Sequence, residues 1–191
     1  MYDKLTAQIK GTVPLMMNNV QRADPLNRWS KELKVLTAKR KKTDADYVEM
    51  ALVEFRGGLV LDTQSRPVVK AEQWEASIRE SARKTKAGKK AQAAILVQDD
   101  TPIAFSGPKA MADREADPAC RDYRSVVVSG RTRVMRCRPI FRDWSCSLTI
   151  HYDPLLANLS EVREWLVTAG REVGVGEWRT SGRFGRFEVT Y

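Results

Sequence analysis

The sequence predicts an α+β protein, a ferredoxin-like βαββαβ core that carries helical and β-hairpin insertions. Three observations lead there. Apolar and polar residues alternate strictly in two separated stretches, residues 4–10 and 143–152, as half-buried strands require. Apolar residues recur at spacings of three and four in several stretches between and after them. The resulting order of strand, helices, strand pair, strand, helix and strand is that of a βαββαβ arrangement, whose helices cover one sheet face.

Taken in order, Leu5, Ala7 and Ile9 share one face of the first strand and Lys4, Thr6, Gln8 and Lys10 the other. Asp24 then Pro25 read as an N-cap and first helical residue, followed by Leu26, Trp29, Leu33 and Leu36 on one stripe. Thr43 with Asp46 forms a capping-box pattern and opens a second helix through Tyr47, Ala51 and Phe55, which Gly57-Gly58 stops. A short strand is expected at Leu59 to Leu61, and Arg66-Pro67-Val68-Val69 leads into a helix with Ala71, Trp74, Ile78 and Ala82 on one side. Ala91 to Val97 and Ile103 to Phe105 read as a hairpin about Asp99-Asp100, with Pro102 confining the second strand to an edge. Residues 106–120 are loop-like, with room for a short helical turn.

RSVVVS and RTRVMRCR, separated around Gly130, read as two strands of an exposed, projecting hairpin, because the second holds more arginine than a buried strand tolerates. From Asp143 to Tyr152 the alternation is the clearest in the chain. Asn158 and Glu161 form a second capping-box pattern ahead of a stripe of Leu159, Val162, Trp165, Leu166, Ala169 and Val173. A glycine-rich loop and a strand through Phe187, Val189 and Tyr191 close the chain. At 191 residues this is expected to be one domain over residues 1–191, with an insertion or projecting hairpin around residues 88–142.

Of the 191 residues, 42% are hydrophobic and 30% charged, which excludes a disordered chain. No apolar run reaches the eighteen or so residues of a membrane span, and the first ten residues lack the apolar stretch of a signal peptide, so no membrane association is expected. Cys120, Cys137 and Cys146 are odd in number, share no ligand spacing and have one histidine for company, which argues against disulfides, a metal site or a cofactor and for a reducing cytoplasm. The net charge of +9, from 33 Lys and Arg against 24 Asp and Glu, implies a polyanionic partner.

The open sheet face is expected to carry Lys4, Thr6, Gln8 and Lys10, then Ser145, Ser147, Thr149 and His151, then Arg186, Glu188 and Thr190. That set offers no aromatic platform for reading bases. Basic residues cluster instead at Arg28 to Lys42, Arg79 to Lys90, Arg121 to Arg142 and Arg171 to Arg186. In the third cluster Arg131, Arg133, Arg136 and Arg138 stand out, since arginine suits two-pronged contacts with phosphate. In GVGEWRTSGRFGRF, residues 174–187, Gly176, Gly182 and Gly185 permit close backbone approach, Arg179, Arg183 and Arg186 supply charge, and Trp178 and Phe184 supply stackable rings. The alternative reading of this stretch is a long turn whose aromatics belong to the core. Without a helix-turn-helix pattern, a flexible single strand is a better match than a duplex groove.

The last helix, the glycine-rich loop with Arg and Phe and the closing strand resemble the signature of the RAMP superfamily of CRISPR-associated proteins, as does VVKAEQWEASIRESARKT. PLMMNN, ADPLNRW, KRKKTDADY, GGLVLD and RTRVMRCRPIFRDW are similar to a group of small bacteriophage proteins of unassigned function. The resemblance implies an RRM-like, RNA-binding fold, a host-cytoplasmic setting and non-catalytic protomers that assemble along a strand as a homo-oligomer. Two readings compete: an inhibitor that binds a host nucleic-acid complex, and a metal-independent endoribonuclease in which His151 is the one histidine available.

Overall fold

The computed structural model describes residues 2–191. Along the chain run β1 (Asp3–Gly11), β2 (Leu15–Met16), α1 (Arg28–Ala38), α2 (Asp44–Gly58), β3 (Val68–Val69), α3 (Ala71–Arg83), α4 (Gly88–Ala94) and β4 (Ile95–Leu96). There follow β5 (Thr101–Pro102), β6 (Ala104–Phe105), α5 (Met111–Ala116), β7 (Arg121–Val127), β8 (Arg133–Phe141), β9 (Trp144–Tyr152), α6 (Leu159–Thr168) and β10 (Phe187–Thr190). Contacts group these elements into two units, one of residues 1–15, 61–106 and 141–191, the other of residues 16–60 and 107–140. The sequence reading placed an insertion around residues 88–142; the second unit instead draws on two separate stretches of chain.

In the first unit the sheet order is β10-β1-β9-β4, with β6 also on β9 and every neighbouring pair antiparallel. The alternation read in the sequence sets the register. Leu5 lies opposite Ile150, Ala7 opposite Leu148 and Ile9 opposite Cys146, all buried. On the other face Lys4 meets His151, Thr6 meets Thr149, Gln8 meets Ser147 and Lys10 meets Ser145. The buried face is filled by Trp74, Ile78 and Ala82 of α3 and by Val162, Trp165 and Leu166 of α6. Ser81 Oγ donates to the Trp165 carbonyl at 2.7 Å, tying the two helices together, and the Trp74 ring meets Phe187 edge-on at 5.4 Å. The Asn158–Glu161 capping box is present at the start of α6.

Two expectations in this unit are corrected. Ala91 to Ala94 are the end of helix α4, because the run GKKAQAA is alanine-rich and strongly helix-forming, and only Ile95 and Leu96 are extended. No hairpin forms between the two expected strands: β4 and β6 both pair with β9, while β5 pairs with β3. Asp100 accepts from Lys70 Nζ at 2.6 Å and from the Ala71 amide at 3.0 Å, so it caps α3 as well as turning the chain.

In the second unit the sheet order is β2-β8-β7, accompanied by α1, α2 and α5. The Thr43–Asp46 capping box opens α2 as read. The first helix begins later than expected: Asn27 is its N-cap and accepts from the Trp29 amide, whereas Asp24 accepts from the Leu26 amide in a turn. Leu59 to Leu61 form no strand, apart from an isolated bridge between Leu61 and Pro67 in the first unit. Gly57 and Gly58 lie inside α2, where they allow close approach: a Cβ at Gly57 would come within 2.9 Å of Trp29 Cβ, and one at Gly58 within 2.9 Å of Pro139.

Candidate nucleic-acid interface

The positive charge is unevenly shared between the units. The second holds 17 Lys and Arg against 10 Asp and Glu, a net of +7, and the first holds 16 against 14, a net of +2. Cations are paired in both units, Lys84 with Glu172, Lys90 with Glu161 and Arg179 with Glu80 in the first, and Lys39 with Asp46, Arg56 with Glu115 and Arg124 with Asp122 in the second.

Within the second unit, β7 and β8 form the hairpin expected from RSVVVS and RTRVMRCR, in a register that runs from Arg121 opposite Pro139 to Val127 opposite Arg133. Its turn uses positive φ at Gly130 and at Arg131, 70° and 71°. Arg131 and Arg133 are exposed, and Arg133 Nη1 donates to Ser125 Oγ across the hairpin at 3.2 Å. The expectation that the whole second strand is exposed holds only for its first half. From Cys137 onward β8 is buried, and Arg138 is 8% exposed opposite Asp122, because CRPIF continues the strand into the apolar interior.

Arg136 lies between these extremes. Its Nη1 donates to Glu54 Oε1 at 3.1 Å, while Glu54 Oε2 accepts from the Cys137 amide at 2.8 Å. Arg22 Nη1 stands 3.9 Å from the same carboxylate. Glu54 is 4% exposed and thus a buried acid serving two guanidiniums and a strand amide. The sequence reading missed both Glu54 and Arg22. The available signal was an acid set between Val53 and Phe55 in the apolar part of a helix, where an unpaired carboxylate would be costly.

The glycine-rich loop belongs to the first unit. Gly174, Gly176, Gly182 and Gly185 all have φ between 70° and 82°. Its two ends are joined by a hydrogen bond from the Val175 amide to the Gly185 carbonyl, 3.0 Å, and the Gly185 amide donates to the Pro14 carbonyl at 2.9 Å. Gly185 is buried and a Cβ there would strike the Val175 carbonyl oxygen, so this glycine is required by packing. Phe184 is buried at 4% exposure, which corrects its reading as a stacking surface; Trp178 is half-buried with its ring centre 6.3 Å from that of Phe184. Of the three arginines only Arg183 is fully exposed, since Arg179 pairs with Glu80 at 3.3 Å and Arg186 donates to the Arg171 carbonyl.

His151 stands opposite Lys4 on the polar sheet face and lines a cavity of about 180 Å³ with Asp99, Asp100, Ser147 and Thr149. Burial raises the thiol pKa of Cys137 to about 11 and of Cys146 to about 12. Among the described residues no group of three or more His, Cys, Asp and Glu is placed to hold a metal ion, and no helix is long and apolar enough to cross a membrane.

No protein-family model matches the chain, and no curated protein matches it. Among solved structures it is similar, at TM-score 0.47 and 11% identity, to a chain in the cryo-EM structure of the type III-B Cmr-beta bound to cognate target RNA, over 100% of this chain and 59% of that one. It thus spans less than two thirds of that chain's length. It is also similar, at TM-score 0.38 and 11% identity, to Cmr6 from Pyrococcus furiosus, over 100% of this chain and 99% of that one.

Proposed function

We propose that this chain binds single-stranded nucleic acid through its sugar-phosphate backbone, catalyses no reaction on it, and coats it by adding protomers side by side. In this reading β1, α3, β4, β9, α6 and β10 are the ferredoxin-like βαββαβ core of a RAMP-like protein. The contacts come from the exposed tip of the β7–β8 hairpin, Arg131 and Arg133, with Arg183 of the glycine-rich loop as a further contact. Arg138 serves the fold, and Arg136 works from its perch on Glu54.

The observation that carries the proposal is the segregation of charge: a net of +7 in the second unit, with arginines at an exposed hairpin tip. A field of that sign and density attracts polyanions, and each neutralised phosphate releases counterions to the solvent. The sheet face gives the complementary argument, since the aligned Lys4, Thr6, Gln8, Lys10, Ser145, Ser147, Thr149 and His151 provide no stacking platform for bases.

The test is a gel-shift panel of single-stranded RNA, single-stranded DNA and duplex of equal length at two salt concentrations. Single strands should bind more tightly than duplex, with affinity falling steeply as salt rises and rising cooperatively with strand length. Equal or tighter binding to duplex removes the single-strand reading, and saturation by one protomer on long strands removes the coating.

A further inference from the structure

In the second unit the 3-10 turn Val20–Ala23, the first turns of α1, Glu54 of α2 and Arg136 of β8 enclose a cleft of about 410 Å³. Its lining combines apolar Trp29 and Leu33 with polar Asn18, Arg22, Arg136 and Glu54. Glu54 holds Arg136 at 3.1 Å and stands 3.9 Å from Arg22, while Arg22 also donates to Asn18 Oδ1. One buried carboxylate therefore faces two guanidiniums. Glu54 holds the Arg136 fork and Asn18 the Arg22 fork before any ligand arrives, which lowers the cost of ordering them on binding. Arg28 lies over the Trp29 ring at 3.8 Å from its centre and helps to hold the indole in place.

Guanidinium groups together with an indole and a leucine in one cleft supply the two halves of nucleotide recognition, phosphate and base. The volume lies at the small end of the range for ligand pockets, about 300–1,000 Å³, and suits one nucleotide and not a length of strand. We propose that this cleft is a mononucleotide site that takes a phosphate at Arg22 and Arg136 and a base against Trp29 and Leu33. The inference rests on the nucleic-acid reading above and adds to it a pocket for one nucleotide at Arg136, a residue that the backbone track also uses.

The test is isothermal titration of the full chain with adenosine 5′-monophosphate, adenosine and inorganic phosphate at one low salt concentration, alongside a single-strand gel shift. The monophosphate should bind at least tenfold more tightly than either adenosine or phosphate. Arg136→Gln and Trp29→Leu should each lower its affinity at least fivefold, while Arg66→Gln, which removes one positive charge from the first unit, should leave it unchanged. If the monophosphate binds no more tightly than inorganic phosphate, or if Arg136→Gln binds it as wild type does, the site is disproved. The comparison of the three ligands on the wild-type chain decides the matter even if a variant fails to fold. Failure of the titration with strand binding intact overturns the cleft alone; loss of strand binding with the monophosphate preference intact overturns the coating function alone.

Discussion

Arg56 grips Glu115 with both prongs of its guanidinium, Nε to Oε1 at 2.9 Å and Nη2 to Oε2 at 2.8 Å, and so ties α2 to α5 within the second unit. Hydrogen bonding to Glu115 outweighs partial burial and raises the Arg56 pKa further. Because both side chains are mostly shielded from solvent, the pair should contribute more than a surface ion pair does. Arg56→Ala is expected to destabilise the fold by about 1–2 kcal/mol. In a double-mutant cycle with Glu115→Ala in urea, a coupling energy near zero would show that the pair contributes nothing.

Two of the three glycines singled out for close backbone approach, Gly182 and Gly185, should behave differently. Both have positive φ, but Gly185 is buried against the Val175 carbonyl, whereas the nearest group to a Cβ on Gly182 is Arg186 Nη2 at 3.1 Å. Gly182→Ala should cost about 1–2 kcal/mol, the ordinary penalty of a left-handed backbone. Gly185→Ala adds a backbone clash and should cost more. Thermal melts of the two variants decide it, and equal stability would contradict the packing role of Gly185.

The elements legible from the sequence are those whose signal is local. Alternation put Leu5, Ala7 and Ile9, and Cys146, Leu148 and Ile150, on the core faces of their strands, where they are buried, and both capping boxes stand where Thr43 and Asn158 announce them. What was hidden depends on distant stretches of chain. The charge excess of the second unit arises because residues 16–60 and 107–140 come together, and the role of Glu54 is set by Arg136 and Cys137, more than eighty residues away. Phe184 and Gly185 misled because arginine neighbours on both sides gave a core position the look of a binding loop.

Acid should weaken the fold through Glu172 and Asp46. Hydrogen bonds from Lys84 and then Arg171 lower the Glu172 carboxyl from 4.5 to about 2, and Lys39 with Thr43 lowers Asp46 from 3.8 to about 2. A depressed folded-state pKa gives stability that is present above the ordinary carboxylate range and is lost as pH falls through the folded value. Unfolding midpoints in urea should therefore fall between about pH 4.5 and pH 2. Glu172→Gln should make that fall shallower. An unchanged pH profile in the variant would remove Glu172 from the account.

The cysteines should resist thiol reagents in the native state. Burial holds Cys137 near 11 and Cys146 near 12, so at pH 8 very little of either is thiolate, and neither is accessible. Cys120 is part-exposed, although burial and then Asp117 raise its pKa as well, and it should be the first to react. Mass spectrometry after brief labelling should find at most one modified thiol; two or three would mean that the sheet positions open readily.

The arginines of the hairpin separate a binding role from a folding one. Arg131 and Arg133 lie at the exposed tip, so replacing each by alanine removes a phosphate contact and should reduce the slope of log affinity against log salt by roughly 0.7 for a single strand. The loss should be alike for every sequence, because phosphates carry no base information. Arg138 sits in the buried half of β8 opposite Asp122, and Arg138→Ala should lower the melting temperature while leaving the salt slope of the folded fraction unchanged. Arg136→Ala should do both, because its guanidinium is part-exposed and also satisfies buried Glu54. Should Arg131→Ala and Arg133→Ala keep the wild-type slope while Arg138→Ala lowers it, the contacts run along the other half of the strand and the hairpin tip is not the binding element.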